Sequence, residues 1–164
     1  LATALWCRYF GARHVVVSDM VPERLALAER MGATATVNAA SEDVVGCFKR
    51  EAGSRPDVII ECIGIPGTQQ LAMDYAPSNG RIVVVGVCMA LDTIMPVKAI
   101  TKELSVQYVF MYRRQEFEIA IDLLNRELID PSPMFTRDVG FEEFPAAFDS
   151  LKADKTACKV MLAL

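Results

Sequence analysis

The chain has 164 residues, of which 52% are hydrophobic and 23% are charged, a length typical of one domain. Its 17 basic and 21 acidic side chains give a net charge of −4. This balance argues against nucleic acid and anionic membrane as partners, since both need clustered Lys and Arg. The longest apolar run, residues 82–91, is too short for a membrane-spanning helix, which needs about 20 residues. The composition predicts a soluble globular domain.

Cysteine and histidine are too few and too scattered for most metal or nucleophilic sites. The five cysteines include no CxxC pair, and an odd number cannot form a closed disulfide set. We expect buried, reduced thiols of a cytoplasmic protein. His14 is the only histidine, so neither a Ser-His-Asp triad centred elsewhere nor a two-His metal site can be built. Its place before an apolar run predicts a solvated strand edge.

The N-terminal part of the chain alternates helix and strand patterns. A proline at a helix start costs little, because its missing N–H would be unpaired there anyway, so Pro22 predicts a helix start. The predicted elements are a buried helix at 1–10, a strand at 14–19, a helix from Pro22 with Leu25, Ala28 and Met31 inward, a strand at 35–38 and a helix from 41 to 53.

The middle and C-terminal parts continue this alternation. Residues 57–64 and 81–86 are apolar runs without in/out alternation, which is typical of strands in parallel sheets covered on both faces. The other predicted elements are helices at 68–76 and 96–102, a strand at 104–112, two amphipathic helices marked by Phe117, Ala120, Ile121, Leu124 and Leu128 and by Phe144, Ala147, Phe148 and Leu151, and a strand at 159–164. Strands alternating with helices predict an α/β fold with a doubly wound, Rossmann-like parallel sheet.

Asp19 ends the predicted strand at 14–19. In nucleotide-binding α/β domains, an acidic residue at the end of the second strand follows the glycine-rich turn by about 20 residues. Counting back from Asp19 places that turn before Leu1. We therefore expect the first strand and the glycine-rich turn to lie outside this chain, and residues 1–164 to be a partial NAD(P)-binding domain of a longer polypeptide.

The carboxylate of Asp19 has a functional and a structural interpretation. It can accept hydrogen bonds from the adenosine ribose hydroxyls and repel a 2′-phosphate, which favours NAD over NADP. It can also be only a polar strand end before a helix. Arg24, five residues on, can lie against the adenine or ribose, or be a solvated helix arginine.

Several segments in order resemble the cofactor domain of the medium-chain, zinc-dependent alcohol and polyol dehydrogenases. They are SDMVPERL at 18–25, DVIIECIG at 57–64, NGRIVVVGV at 79–87 and CKV at 158–160. The resemblance implies that Asp19 and Arg24 take the adenosine ribose. It also implies that Cys62, Ile63 and Gly64 pass beside the adenine and the nicotinamide ribose, that Val85, Gly86 and Val87 face the nicotinamide, and that Phe110 lies further along the same cleft.

The resemblance further implies hydride transfer between an alcohol or polyol substrate and NAD, with a zinc ion that polarises the substrate oxygen. In that family the zinc ligands belong to a separate N-terminal domain, and nothing in this chain matches them, so no metal-binding or catalytic residue is assigned here. The family also pairs cofactor domains through an edge strand, which corresponds to residues 104–110. That pairing implies a homodimer or a tetramer.

Two other functions fit part of the pattern. A zinc-independent quinone or enoyl reductase of the same superfamily would share the scaffold but prefer NADPH, against which Asp19 argues. The other is a non-catalytic nucleotide-binding module or a methyltransferase. Methyltransferases also place an acid at the end of the second strand, but they would not be expected to show the run at 79–87 or the closing strand.

Overall fold

A computed structural model describes residues 1–151, 153–154 and 156–163. The chain falls into two compact units: residues 1–47 with 118–164 form unit 1, and residues 48–117 form unit 2. The described helices are α1 (Ala2–Tyr9), α2 (Pro22–Arg30), α3 (Val44–Ala52), α4 (Thr68–Tyr75), α5 (Pro96–Thr101), α6 (Arg114–Asn125) and α7 (Phe144–Ser150). The described strands are β1 (Val16–Asp19), β2 (Ala35–Asn38), β3 (Val58–Glu61), β4 (Arg81–Val84), β5 (Ser105–Tyr108), β6 (Phe135–Val139) and β7 (Lys159–Leu162).

Every described strand pairing is parallel, and strands alternate with helices along the chain, which confirms the α/β class. The hydrogen-bonded sheets are β1-β2 and β6-β7 in unit 1 and β3-β4-β5 in unit 2. Parallel neighbours need a crossover connection, and the intervening helices supply it. The continuous doubly wound sheet stays a prediction.

In unit 1, α2 packs against the β1-β2 pair. Pro22 is the first residue of α2, as predicted. Leu25, Ala28 and Met31 are all buried, which confirms the predicted inward face. Burying a side chain the size of Leu or Met contributes about 1.5–3 kcal/mol, so this face accounts for much of what holds β1 and its terminal Asp19 in place.

Strand β6 was missed by the sequence analysis. Arg137 and Asp138 interrupt any apolar run there, and only Val139 of this strand is buried. It pairs with β7, with an irregular register between Phe135 and Arg137. Of the closing strand predicted at 159–164, β7 ends at Leu162, and Leu164 lies outside the described residues.

The core of unit 2 lies between α4 and β4. Its buried members are Ala72, Met73 and Ala76 from the α4 side and Ile82 and Val84 from β4. Half-buried side chains from β3, α5 and β5 pack around them. The predicted starts of these elements agree with the structure, whereas β3, β4 and β5 end earlier than predicted because the chain turns away after each strand.

The C-terminal end of α4 is held by two basic side chains from outside the helix. Lys102 Nζ donates hydrogen bonds to three carbonyl oxygens at 2.7, 3.1 and 2.8 Å. Arg55 Nη1 donates to two, at 3.2 and 2.9 Å. The carbonyls belong to Met73, Asp74, Tyr75 and Ala76. Cations are favourable at a helix C-terminus, where carbonyl groups lack helical partners.

The burial predicted for the helix at 1–10 was wrong, and the apolar faces of the two predicted amphipathic helices are largely exposed. In α1 only Ala4 is buried, and the aromatic rings of Trp6, Tyr9 and Phe10 pack mainly on one another. In α6 and α7 only Leu123 and Ala147 are buried. The exposed predicted positions are Phe117, Ile121, Leu124, Leu128, Phe144, Phe148 and Leu151. Helical spacing determines which residues share a face, but not whether another element covers it.

The predicted burial of the thiols was also wrong. Cys62 is exposed and the other four cysteines are half-buried, and all five are free thiols. His14 is half-buried, two residues before β1. None of the helices in the described part of the chain combines the length and apolar character needed to cross a bilayer.

Candidate functional site

Three predicted site segments of unit 2 follow neighbouring parallel strands. Residues 62–64 follow β3, residues 85–87 follow β4, and Phe110 comes two residues after the end of β5. Because these strands are parallel and adjacent, the segments all leave the carboxyl edge of the β3-β4-β5 sheet. In open α/β sheets, ligands bind at this edge.

The first two segments are in direct backbone contact. A Cβ added at Gly64 would lie 2.5 Å from the backbone nitrogen of Val87, and one added at Gly86 would lie 2.7 Å from Cα of Gly64. Real Cβ atoms essentially never make contacts below 3.0 Å. Gly64 also has a φ of +72°, a left-handed conformation that glycine adopts without steric cost. The structure therefore brings together two loops that the resemblance assigns to the same cofactor.

Glu61, the last residue of β3, lies at this contact and was missed by the sequence analysis. Its carboxylate oxygen Oε1 accepts hydrogen bonds from the N–H groups of Ile63, at 2.6 Å, and Gly64, at 2.9 Å. Its main-chain carbonyl accepts the N–H groups of Val85, at 2.8 Å, and Gly86, at 3.0 Å. Glu61 is buried, at 7% exposure. The only available signal was an acidic residue inside an otherwise apolar run.

The side chains around this contact form an open, mainly apolar surface. Ile63, Val85 and Val87 are 64%, 41% and 57% exposed. Cys62 is exposed as well. Phe110 is 75% exposed. Exposed apolar side chains beside a glycine contact can bury the apolar face of a ligand ring while backbone groups bind its polar atoms.

Asp19 and Arg24, the predicted ribose-binding pair, lie together in unit 1. Asp19 Oδ1 accepts the N–H groups of Met20, at 2.7 Å, and Val21, at 3.0 Å. Asp19 Oδ2 lies 3.8 Å from Nη1 of Arg24, with the side chains 31% and 41% exposed. One oxygen is therefore used to turn the chain from β1 into α2, and the other lies beside the guanidinium at a solvent-accessible position. A groove of about 400 Å³ between α2 and residues 132–136 includes neither residue.

Asp74 in α4 links the helix to α5. It accepts hydrogen bonds from Lys98 Nζ and from Gln70 Nε2. The hydrogen bond from Lys98 is the main reason why the pKa of the Asp74 carboxyl lies below its ordinary value. Burial lowers the pKa of the Lys102 ammonium, as do the nearby charges of Arg55 and Lys98, while Asp74 opposes that shift. This network fixes α4, which begins directly after the loop that carries Gly64.

Within the described ranges, no three His, Cys, Asp or Glu side chains are grouped so that they could hold a metal ion. The described residues thus do not fit a zinc ion.

A model of the zinc-binding dehydrogenase family matches residues 1–126 of the chain. The chain belongs to the zinc-binding dehydrogenase family. L-threonine 3-dehydrogenase of Shewanella pealeana is 34% identical over 99% of this chain, and sorbitol dehydrogenase of Rattus norvegicus is 30% identical over 93%. The chain spans about half the length of these curated relatives, 48% and 43% respectively.

Solved structures of zinc-binding and alcohol dehydrogenases share the fold. A zinc-binding dehydrogenase from Sinorhizobium meliloti 1021 bound to NADP is 30% identical, with a TM-score of 0.85. An Escherichia coli CFT073 short chain alcohol dehydrogenase complexed with NADH is 25% identical, with a TM-score of 0.87. The matches cover 99% and 98% of this chain and 48% of each solved chain. The chain corresponds to the NAD(P)-binding domain of the family, which confirms the resemblance seen in the sequence.

Proposed function

We propose that this chain is the cofactor-binding part of a cytoplasmic oxidoreductase that transfers a hydride between an alcohol or polyol and NAD. Asp19, assisted by Arg24, binds the adenosine ribose. Residues 62–64 pass beside the adenine and the nicotinamide ribose, residues 85–87 face the nicotinamide, and Phe110 lies further along the same cleft. The observation that carries the proposal is the carboxylate of Asp19 at the end of β1, with one oxygen beside α2 and accessible to a ligand.

Asp19 favours NAD for an electrostatic reason. A carboxylate accepts hydrogen bonds from the two ribose hydroxyls, whereas a 2′-phosphate would bring a second negative charge against it. The Arg24 guanidinium is 3.8 Å from Asp19, so part of its charge is used on the carboxylate rather than on a ligand phosphate. Both features support NAD over NADP.

The glycine loops act on the other half of the cofactor. Bound NAD supplies the hydride acceptor. Val85 and Val87 cover one face of the ring with apolar surface, while backbone groups beside Gly86 hold the carboxamide. Because Gly64 and Gly86 carry no side chain, the backbone itself forms this wall. The chain thus binds and orients the acceptor, and it shields the acceptor from water.

The proposed whole protein is larger than this chain. The chain covers about half of its curated relatives, and the described residues offer no zinc site. We therefore place the zinc ligands, the glycine-rich turn and one strand of a doubly wound sheet in residues outside it. An alcohol bound there would deliver its hydride to the nicotinamide.

The proposed assembly is a homodimer or a tetramer built through β5. Among the described strands, β5 pairs only with β4, so one edge has no strand partner. Tyr108 on this strand and Phe110 just beyond it are 58% and 75% exposed. A strand edge without charge or proline, such as this one, favours pairing with the same strand of a second copy.

The test is a substrate and cofactor survey on the full-length protein. We expect NADH formation at 340 nm with secondary alcohols or polyols and NAD, and little turnover with NADP. Turnover of quinones or enoyl compounds with NADPH, and none of alcohols with NAD, would instead identify the zinc-independent reductase. If the protein bound no dinucleotide at all, both the dehydrogenase and the reductase functions would be contradicted. A different kind of nucleotide-binding module would then remain as the alternative.

A further inference from the structure

We infer that Glu61 is the positioning residue that sets the nicotinamide side of the dinucleotide site. The inference rests on the proposed function, because it concerns the loops that would bind the cofactor. Glu61 itself touches no ligand in this account. It acts through the backbone of residues 62–64 and 85–87.

The burial of Glu61 needs a compensating interaction. It is the one buried charged side chain among the described residues. Burying a carboxylate without partners is strongly unfavourable, and an apolar residue would suit the end of β3 better if packing were its only role. The carboxylate must therefore be stabilised by the groups around it.

Those groups are the backbone of the two glycine loops. The side-chain oxygen Oε1 holds the first loop through the N–H groups of Ile63 and Gly64. The main-chain oxygen of the same residue holds the second loop through the N–H groups of Val85 and Gly86. A single residue thus fixes both loops, and the hydrogen bonds to its ionised side chain are stronger than neutral ones.

The space around the carboxylate is also closed. A Cβ added at Gly86 would lie 2.6 Å from Oε2 of Glu61. The carboxylate therefore lies against the point where the two loops meet. Neither loop can shift without losing one of these contacts.

The hydrogen bonds determine the orientation of the first loop. In a trans peptide, the C=O group points opposite to the N–H group of the next residue. Because the N–H of Gly64 donates to Glu61, the carbonyl oxygen of Ile63 faces away from the carboxylate. It is thereby oriented as an acceptor for a hydroxyl donor, which is the chemistry of the nicotinamide ribose. Without Glu61, this peptide loses the hydrogen bond that fixes its orientation.

The test compares two ligands on Glu61→Met and Glu61→Gln in the full-length protein. NADH carries both halves of the cofactor, and ADP carries only the adenosine half. We expect Glu61→Met to weaken NADH binding about tenfold, as loss of two charge-assisted hydrogen bonds allows. The loss for ADP should be clearly smaller, because ADP meets residues 62–64 only at the adenine and does not reach residues 85–87. Glu61→Gln keeps a carbonyl oxygen in the place of Oε1, so we expect it to recover most of the NADH affinity.

If Glu61 contributed only to overall stability, Glu61→Met would weaken NADH binding and ADP binding equally. That result would overturn the inference. Unchanged NADH affinity in Glu61→Met also overturns it. If Glu61→Met does not fold, hydrogen exchange of the wild-type backbone decides: slow exchange at Ile63 and Gly64 that NADH slows further supports the inference, and fast exchange there contradicts it. A wild-type protein that binds neither ligand would instead contradict the proposed function.

Discussion

The backbone of Gly64 lies directly against the backbone of Gly86, so neither position has room for a side chain. The two residues are far apart in the sequence and follow different strands. Their contact joins the loops after β3 and β4 into one rigid surface at the carboxyl edge of the sheet. The shape of the proposed nicotinamide site depends on it.

Gly86→Ala tests this contact. The φ of Gly86 is outside the positive range, so the added methyl group costs energy through its clash with Gly64 and Glu61 rather than through backbone strain. Overpacking of this kind costs about 1–3 kcal/mol. We expect that loss in the free energy of unfolding, measured in urea. We also expect at least about tenfold weaker NADH binding, because the displaced loops no longer form the surface that faces the nicotinamide.

Gly67→Ala is the matched control in the same region. Gly67 has a φ of +89° but nothing within 4 Å of an added Cβ, so the substitution costs only the left-handed strain, about 1–2 kcal/mol. We expect its NADH affinity to stay close to that of the wild type. Equal losses of affinity in both variants would show that the Gly64–Gly86 contact has no special role.

Lys102→Met is expected to destabilise the protein by about 2 kcal/mol, because three carbonyl groups at the end of α4 lose a charged donor. Lys49→Met, at an exposed lysine in the last turn of α3, should change stability by less than about 0.5 kcal/mol. Chemical denaturation of both variants gives the comparison. A loss no larger in Lys102→Met than in Lys49→Met would argue against the capping role.

The lowered pKa of Asp74 predicts that this residue contributes to the loss of folding stability at acid pH. Its pKa is lowered in the folded protein, chiefly by the hydrogen bond from Lys98, so the unfolded state binds the proton more readily. The stabilisation is then complete above the ordinary aspartate pKa of 3.8 and is lost as the pH falls through the lower folded-state value.

Asp74→Asn should remove this contribution. Because the side chain is 38% exposed, we expect a loss of only about 0.5 kcal/mol near neutral pH. Urea denaturation between neutral and acidic pH should show the wild-type and variant curves converging as the pH falls. A constant difference at all pH values would mean that the Asp74 charge does not matter.

The free edge of β5 predicts how copies of the chain associate. The N–H groups of Ser105 and Val109 donate to the β4 side, so the N–H of Tyr108 faces the other edge. Tyr108→Pro removes that donor, whereas Tyr108→Ala removes only the side chain. We expect the proline variant to dissociate at least about tenfold more readily in sedimentation experiments than the alanine variant. Equal behaviour of the two variants would exclude strand pairing at this edge.

Local signals in the sequence predicted most of the elements. Pro22 gave the start of α2, and Leu25, Ala28 and Met31 gave its buried face. The apolar runs after residues 57 and 80 predicted parallel strands. A helix start, a buried helix face and a strand run each depend on neighbours three or four residues away or on the backbone alone. A single sequence is therefore enough to predict them.

The missing features depend on contacts between distant residues. Strand β6 carries Arg137 and Asp138 and has little apolar signal of its own. The role of Glu61 appears only when the loop at Gly86 returns to the same place. The exposed faces of α6 and α7 show the same limit, because spacing cannot say which element lies opposite. Of the site, the sequence predicted the loops but not the residue that holds them together.

The most direct test of the central claim is the cofactor preference of Asp19→Asn in the full-length protein. Asparagine keeps an oxygen that can accept the N–H groups of Met20 and Val21, but it removes the charge that would repel a 2′-phosphate. We predict that the wild type binds NADH at least about tenfold more tightly than NADPH, and that Asp19→Asn loses most of this preference. A wild type that prefers NADPH, or a variant with an unchanged preference, would contradict the account.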